Sequence, residues 1–306
     1  MYISITAIVC TYNRADLLSH AIESLAEQTI TNSDYEILVV DNGSDDATRQ
    51  VVEKKQRSIP NLRYVYEQKL GLSRARNAGI ASSKGRFLAF LDDDAIACRT
   101  WLEHILKAFR TVQPRPGLLC GPVEPIWGNV RPDWLKDDLL SYYSVLSCSE
   151  YSRPLQDNEW VVGANMAVPR DVIRDCGGFD EKLGRKGKSL LSGEETALTN
   201  LIKAKGYSVY YEPALVVGHY IHPARLSKAW FYRRIFWGGV SMGILERRNI
   251  CERSKQIRYA AGRGKFICRR LWSNGKALLN LDHGLRLKRD ILRDLGRLYG
   301  FFFLAR

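Results

Sequence analysis

Two hydrophobic periods alternate along the first 120 residues. Short runs in which nearly every position is apolar or β-branched fall at 3–10, 35–40, 62–66, 86–91 and 118–120. Between them, apolar residues recur at spacings of three and four. Leu17, Ala21, Ile22 and Leu25 share one helical face, and Trp101, Leu102, Ile105, Leu106 and Phe109 share another. Strands that alternate with helices predict βαβ units, hence an α/β fold with a mostly parallel central sheet flanked by helices. Ligands of such sheets bind at the carboxyl ends of the strands, so the polar segments that follow each run are the places to search for chemistry.

Residues 121–160 lose both periods. Pro122, Pro125, Gly128, Pro132 and Pro154, with Trp127, Trp134, Tyr142 and Tyr143, predict a loop-rich covering region. Order resumes over 160–222, and a mainly helical extension follows over 223–306, with breaks expected at Gly238-Gly239 and at 262–264. Charge marks the same boundary. Residues 224–306 carry 20 Lys and Arg against 5 Asp and Glu, a net +15, while residues 1–223 carry 26 against 28, a net −2. An anionic partner, a membrane face or a phosphorylated substrate, is implied for the extension. Within it, Leu285, Ile291, Leu292, Leu295, Leu298, Tyr299 and Phe302 fall largely on one helical side, with Arg286, Arg289, Arg293 and Arg297 between them. This is the pattern of a basic amphipathic helix, able to lie in an anionic membrane interface or to pack its leucines as core. Nucleic acid is the less favoured partner.

The rest of the composition is that of a globular chain of 306 residues, 45% hydrophobic and 26% charged. Its start reads as a first strand rather than a leader peptide, and its apolar runs fall short of the roughly 20 residues that span a bilayer. Seven scattered cysteines without a CxxC pair indicate neither a disulfide framework nor a zinc site. A cytoplasmic protein, peripheral at most to the inner face of the membrane, is expected.

Four strand ends carry polar clusters. The first closes with Thr11-Tyr12-Asn13-Arg14. The second closes with Asp41-Asn42-Gly43-Ser44-Asp45-Asp46, where Asp41 can accept bonds from a base or ribose, or the segment can serve only as a turn and helix cap. The third, after 62–66, opens a helix on which Arg74 and Asn77 share a face and Arg76 points elsewhere. Its arginines either reach a nucleotide or are simply solvated. The fourth follows Phe87-Leu88-Ala89-Phe90-Leu91 with Asp92-Asp93-Asp94. Three adjacent carboxylates repel one another, no neighbour in sequence neutralises them, and a divalent cation is the simplest offset. Asp92 and Asp94, alternate residues of extended chain, can act together. Farther on, Glu194-Glu195 opens a helix, either as dipole-favoured first-turn acids or as a general base. His219 ends another apolar strand, structural or metal-ligating.

Taken in order, TAIVCTYNR, EILVVDNGSDD, GLSRARNAG, FLDDD, GGFDE, GEE and the late histidine resemble family 2 glycosyltransferases with the GT-A fold, over roughly residues 3–245. The resemblance implies an inverting transfer of a sugar from a nucleotide-diphosphate sugar, a UDP sugar by preference, to a hydroxyl of a glycan or lipid-linked acceptor. It implies a catalytic domain over 1–222, with a nucleotide half to about residue 97 and an acceptor half over 98–222. Thr11, Tyr12 and Asp41 would contact base or ribose with Arg74 nearby, and Arg14, Asp93 and Arg225 are counted with the donor-binding residues. Asp92 and Asp94 match the DxD motif that holds Mn2+ or Mg2+, with His219 as a further ligand. The family's catalytic Glu-Asp pair reads Glu194-Glu195 here. Glu195 stands in the Asp position and is assigned the base, with Glu194 as the alternative. Two rival readings are a nucleotidyltransferase, which would carry a glycine-rich basic loop where CTYNR stands, and a non-catalytic nucleotide-sugar or glycan-binding protein.

Overall fold

A computed structural model describes residues 3–187, 189–250, 252–274 and 281–304, which divide into two compact units. The first holds residues up to 128, 143–182 and 194–221, and the second holds 129–142, 183–193 and the chain from 222 onward.

The first unit runs β1 (Ile5–Thr11), α1 (Ala15–Ala26), β2 (Tyr35–Asp41), α2 (Thr48–Gln56), β3 (Leu62–Tyr66), α3 (Leu72–Ser82), β4 (Phe87–Asp92), β5 (Ala95–Ala97), α4 (Trp101–Thr111), β6 (Leu118–Cys120) and β7 (Val123–Trp127). After the covering loops come β8 (Arg153–Pro154), β9 (Asn165–Pro169), α5 (Arg170–Asp175), α6 (Glu194–Ala204), β10 (Val209–Tyr211) and β11 (Val217–Ile221). Eight strands form one sheet in the order β3-β2-β1-β4-β9-β6-β10-β8, and β5-β11-β7 form a second.

The apolar runs are continuous because both faces of the large sheet are covered. Ile5, Ala7 and Val9 of β1, Ile37 and Val39 of β2, and Phe87, Ala89 and Leu91 of β4 face a core shared with Leu18, Ile22 and Leu25 of α1 and Trp101, Ile105 and Phe109 of α4. Their alternates, Ile8, Leu38, Val40, Leu88 and Phe90, face a second core with Ala75 of α3 and Leu198 and Ile202 of α6. Strands β3, β2, β1 and β4 are parallel, as the pattern predicts. Strand β9 is not: it runs antiparallel between β4 and β6. It enters straight from a loop, and an antiparallel strand needs no crossover helix. Buried Asn165 anchors it, accepting from Trp101 Nε1 at 2.9 Å and donating to the carbonyl of Pro122 at 2.9 Å and to that of Leu215 at 2.5 Å.

The chain leaves β1 toward β2 and β3, then crosses back to β4 on β1's other side. The crevice at the carboxyl ends of β1 and β4 is therefore a topological switch point. Register fixes its contents. Cys10 pairs with Asp92, Thr11 with Asp41, and, across the small sheet, His219 pairs with Ala95.

In the second unit, α7 (Lys228–Asn249), α8 (Arg253–Asn274) and α9 (Leu281–Tyr299) are unbroken helices, so the breaks expected at Gly238-Gly239 and 262–264 do not occur. Glycine in a helix costs about 1 kcal/mol against alanine and does not by itself end one. At Gly239 the residue serves close approach. A Cβ there would lie 2.2 Å from the Arg293 carbonyl oxygen, and one at Gly243 would lie 2.1 Å from that of Arg297. Reciprocally, a Cβ at Gly296 or Gly300 would lie 2.1 Å from the Phe236 or Val240 carbonyl. Partner numbers rise together, so α7 and α9 run parallel with their backbones touching. Helix α8 is tied to both. Arg263 meets Asp294 of α9 at 2.9 Å and Glu246 of α7 at 3.6 Å, and the Tyr259 hydroxyl donates to Glu246. The cysteines among the described residues are free thiols, and Cys251 lies outside those residues.

Candidate active site

The loops after β1 and β2 are stitched together. Asn13, in the left-handed region at φ 52°, donates its amide to Ser44 Oγ at 3.0 Å and accepts from the Asp45 amide at 2.9 Å. Asp46 accepts the Ala15 amide at 3.0 Å. Asp41 is buried with both oxygens engaged, one by the Ser44 amide at 2.9 Å and the other by the Tyr64 hydroxyl at 2.7 Å. The turn reading of this segment is thus realised whatever else Asp41 does. Thr11 is buried beside it, and Tyr12 projects with 39% of its surface exposed.

The stitched loop aims Arg14 at the end of β4. Its Nη1 donates to Asp93 Oδ1 at 2.9 Å and to Asp94 Oδ2 at 2.8 Å. Burial pushes the Asp93 carboxyl up to about 6, with Arg14 pulling it back and Asp94 adding to the rise. The other oxygen of Asp94 lies 3.3 Å from His219 Nε2, and both side chains are buried. The pairing of β5 with β11 makes this contact, because it sets His219 beside the residue that follows Asp94.

A second guanidinium organises the other side. Arg76 of α3, side chain 3% exposed, donates from Nη1 to Glu194 at 3.0 Å and to Glu195 at 3.2 Å, and its Nη2 reaches Asp92 at 3.5 Å. Burial works against its charge, but Glu195, Glu194 and Asp92 outweigh it and the net shift is upward. Phe179 lies under the guanidinium at 5.2 Å, held by Asn77, which donates to its carbonyl at 2.9 Å and accepts its amide at 2.8 Å. Cys10, on the same line of the sheet, is pushed up to about 12 by burial despite Arg76, so it stays a thiol.

One sequence expectation is corrected here. The carboxylates do not lack local compensation, since Arg14 and Arg76 supply it from loop and helix. Of the arginines on α3, it is Arg76 that enters the cluster, whereas Arg74 pairs with Glu181 at 3.1 Å on the surface. Arg76 shares the small-residue stripe of Ser73 and Gly79, the face packed on the sheet, and a Cβ at Gly79 would strike Ile8 at 2.7 Å. A cation on such a stripe needs carboxylates waiting for it, a signal the sequence holds. Gly163 was also missed. A Cβ there would lie 2.2 Å from Glu195 Oε1 and 2.3 Å from Arg76 Nη2. Arg225 belongs to the second unit, its guanidinium 6.0 Å over the Trp230 ring.

Among the described residues the cluster sets five carboxylates, Asp92, Asp93, Asp94, Glu194 and Glu195, against the guanidiniums of Arg14 and Arg76. That surplus, with an imidazole beside Asp94, is a donor set of hard oxygens and one nitrogen that fits Mn2+ or Mg2+. No three such side chains form a closed metal cage among the described residues. An ion bound by one or two carboxylates plus substrate phosphate requires none.

Comparison with known proteins identifies the family. Residues 6–176 match the model of glycosyl transferase family 2. A glucosyl-dolichyl phosphate glucuronosyltransferase of Haloferax volcanii is 25% identical over 247 residues, covering 79% of this chain and 77% of that protein. The succinoglycan biosynthesis protein ExoM of Rhizobium meliloti is 29% identical over 256 residues, covering 82% and 77%. A mannosyltransferase from Pyrobaculum calidifontis, solved in complex with GDP-Man and Mn2+, superposes with a TM-score of 0.66 at 16% identity, over 99% of this chain and 88% of that one, and so shares the GT-A fold. The nucleotidyltransferase and non-catalytic readings give way: the chain is a glycosyltransferase and belongs to glycosyl transferase family 2.

Proposed function

We propose that the protein transfers a sugar, with inversion, from a nucleotide-diphosphate donor to a hydroxyl of a lipid-linked or polymeric glycan at the cytoplasmic face of a membrane. The observation that carries the reading is the convergence of Asp92 and Glu195 on the one guanidinium of Arg76 at the switch point of the sheet. The half to about residue 97 takes the nucleotide, with Thr11, Tyr12 and Asp41 at the base or ribose, and the half from 98 to 222 takes the acceptor. Asp92, Asp94 and His219 would hold Mn2+ or Mg2+, which when bound supplies positive charge to the departing diphosphate. Arg14 adds a fixed cation on the same side, and Arg225 would contribute phosphate contact from the turn after β11.

Glu195 is the better base of the two glutamates. Its side chain is 17% exposed against 2% for Glu194, so an acceptor hydroxyl can reach it without rearrangement. A carboxylate there takes the hydroxyl proton as the oxygen attacks the anomeric carbon, and displacement from the face opposite the diphosphate inverts that centre. Glu194, buried and bonded to Arg76, positions the guanidinium that aligns Glu195. A lipid-linked or polymeric acceptor is supported by the glucosyl-dolichyl phosphate and succinoglycan named for two relatives and by the +15 extension.

The test is a donor screen, UDP sugars first with GDP-mannose as comparator, followed by proton NMR of the fresh product. An anomeric configuration opposite to the donor's is expected. A product that keeps the donor's configuration refutes the mechanism.

A further inference from the structure

Helix α8 carries a surface that the transfer reaction does not use. At the helical period Ile257, Ala261, Cys268 and Trp272 form one line, and Arg258, Lys265 and Arg269 form the line beside it. All seven are exposed, Ile257 by 63% and Trp272 by 92%. The opposite side of the helix, with Tyr259, Arg263 and Ile267, is the one that packs on α7 and α9. Between residues 253 and 274 there are seven Lys and Arg and no Asp or Glu. Helix α9, the basic helix of the sequence reading, is a poorer candidate. Its Gly296, and Gly300 directly after the helix, are pressed on α7, Leu285 and Leu287 are buried, and Arg289, Arg293 and Arg297 are paired with Asp290, Asp294 and Glu246.

We infer that the outer face of α8 is a docking surface for an anionic lipid bilayer, with Ile257, Cys268 and Trp272 entering the interface and Arg258, Lys265 and Arg269 meeting the headgroups. An apolar line flanked by exposed cations, on a helix that carries no acidic residue, is the signature of a helix lying in the interfacial plane. No helix among the described residues is long and apolar enough to cross a membrane. The turn after α9 leaves two further aromatic rings exposed. Phe301 stacks on Tyr259 of α8 at 4.6 Å, while Phe302 and Phe303 stand 49% and 67% exposed. Nucleic acid would account for the cations and the tryptophan but not for an aliphatic and thiol row beside them. This surface refines the proposed acceptor at a membrane. It is tested apart from that reading, because vesicle binding needs neither donor nor acceptor.

The experiment is flotation of the full chain with vesicles of equal parts phosphatidylcholine and phosphatidylglycerol, against phosphatidylcholine alone, at low salt. Flotation with the anionic vesicles only is expected. Reversing Arg258, Lys265 and Arg269 to Glu should weaken it on the order of 100-fold, from the contribution of each cation near an anionic leaflet. Ile257→Ser with Trp272→Ser should weaken it about 10-fold or more. Reversing Arg286 and Lys288 of α9 is the control and should stay within about threefold. Thermal midpoints and transfer to a soluble acceptor establish that each variant is folded. The inference is overturned if the parent chain stays at the bottom of the gradient, if the α8 reversal floats as the parent does, or if the α9 control is equally impaired. Capture of a single-stranded oligonucleotide without flotation also overturns it, and assigns the surface to nucleic acid.

Discussion

Arg76→Leu is the perturbation that bears most directly on the site. The guanidinium and Glu194 are both nearly sealed from water, 3% and 2% exposed, and 3.0 Å apart, so solvent screens their attraction little. Glu195 is 17% exposed at 3.2 Å and Asp92 34% exposed at 3.5 Å, so each adds less. Removing one partner of a buried pair costs about 3–5 kcal/mol, because the carboxylate left behind must stay buried and charged or take up a proton. That is a large share of the ~5–15 kcal/mol that holds an ordinary domain together. The deficit should depend on pH. In the variant the Glu194 carboxyl is raised above its unfolded value of about 4.3, so the folded chain holds more protons than the unfolded one across that interval. Stability is then greatest below the unfolded value and falls as pH rises through the folded one. Urea denaturation at about pH 5 and pH 7.5 should show the variant nearer to the parent at the lower value. Adding Glu194→Gln should return part of the loss at neutral pH. Equal midpoints for Arg76→Leu and parent, or a deficit that does not change with pH, would refute the account of Arg76 as the counter-charge of this cluster.

Four further outcomes are expected. Glu195→Gln should lower kcat by about 10²–10⁴ with donor affinity preserved in calorimetry, and a crippled Glu194→Gln beside an active Glu195→Gln would reverse the assignment of the base. Chelation should abolish transfer and Mn2+ or Mg2+ restore it. Asp94→Ala should remove most activity while circular dichroism stays that of the parent, and full turnover in excess chelator would remove the metal from the mechanism. Gly163→Ala introduces a methyl at 2.2–2.3 Å from Glu195 and Arg76, so a loss of about 1–3 kcal/mol together with a fall in kcat is expected from denaturation and turnover measurements. Arg153 bonds Glu159 at 2.6 and 2.8 Å and, against the opposing effect of burial, holds its carboxyl down at about 2. Its stabilising contribution is complete above the unfolded value of about 4.3 and is lost as pH falls toward 2, so Glu159→Gln should flatten acid unfolding in that window.

The sheet could be read from the sequence because its central strands are buried on both faces, which leaves runs such as Ile37-Leu38-Val39-Val40 without polar interruption. The strand-end clusters could be read for the same reason: a carboxylate row directly after such a run has nowhere to go but the carboxyl end of the sheet. What escaped depends on residues far apart in the chain. The stripe of α3 shows that Arg76 turns inward, but the glutamates that receive it, Glu194 and Glu195, come more than a hundred residues later. The reversal of β9 rests on Asn165 finding carbonyls at Pro122 and Leu215. Gly239 reads locally as a helix breaker, and only the carbonyl of Arg293 shows it to be a point of contact.

That contact constrains how the carboxyl-terminal unit can move. Four glycines engage carbonyl oxygens of the facing helix in register, two from each side, so α7 and α9 fit together like a key in its lock. A slide by one residue would bring Met242 or Ile244 to the contact made by Gly243, and Leu295 or Arg297 to that made by Gly296, driving a side chain into backbone. The two helices therefore travel as a single strut. Any bending in this unit on donor or acceptor binding must take place in the segments that lead into and out of that strut, and α8, anchored to it by Tyr259 and Arg263, is carried along with it.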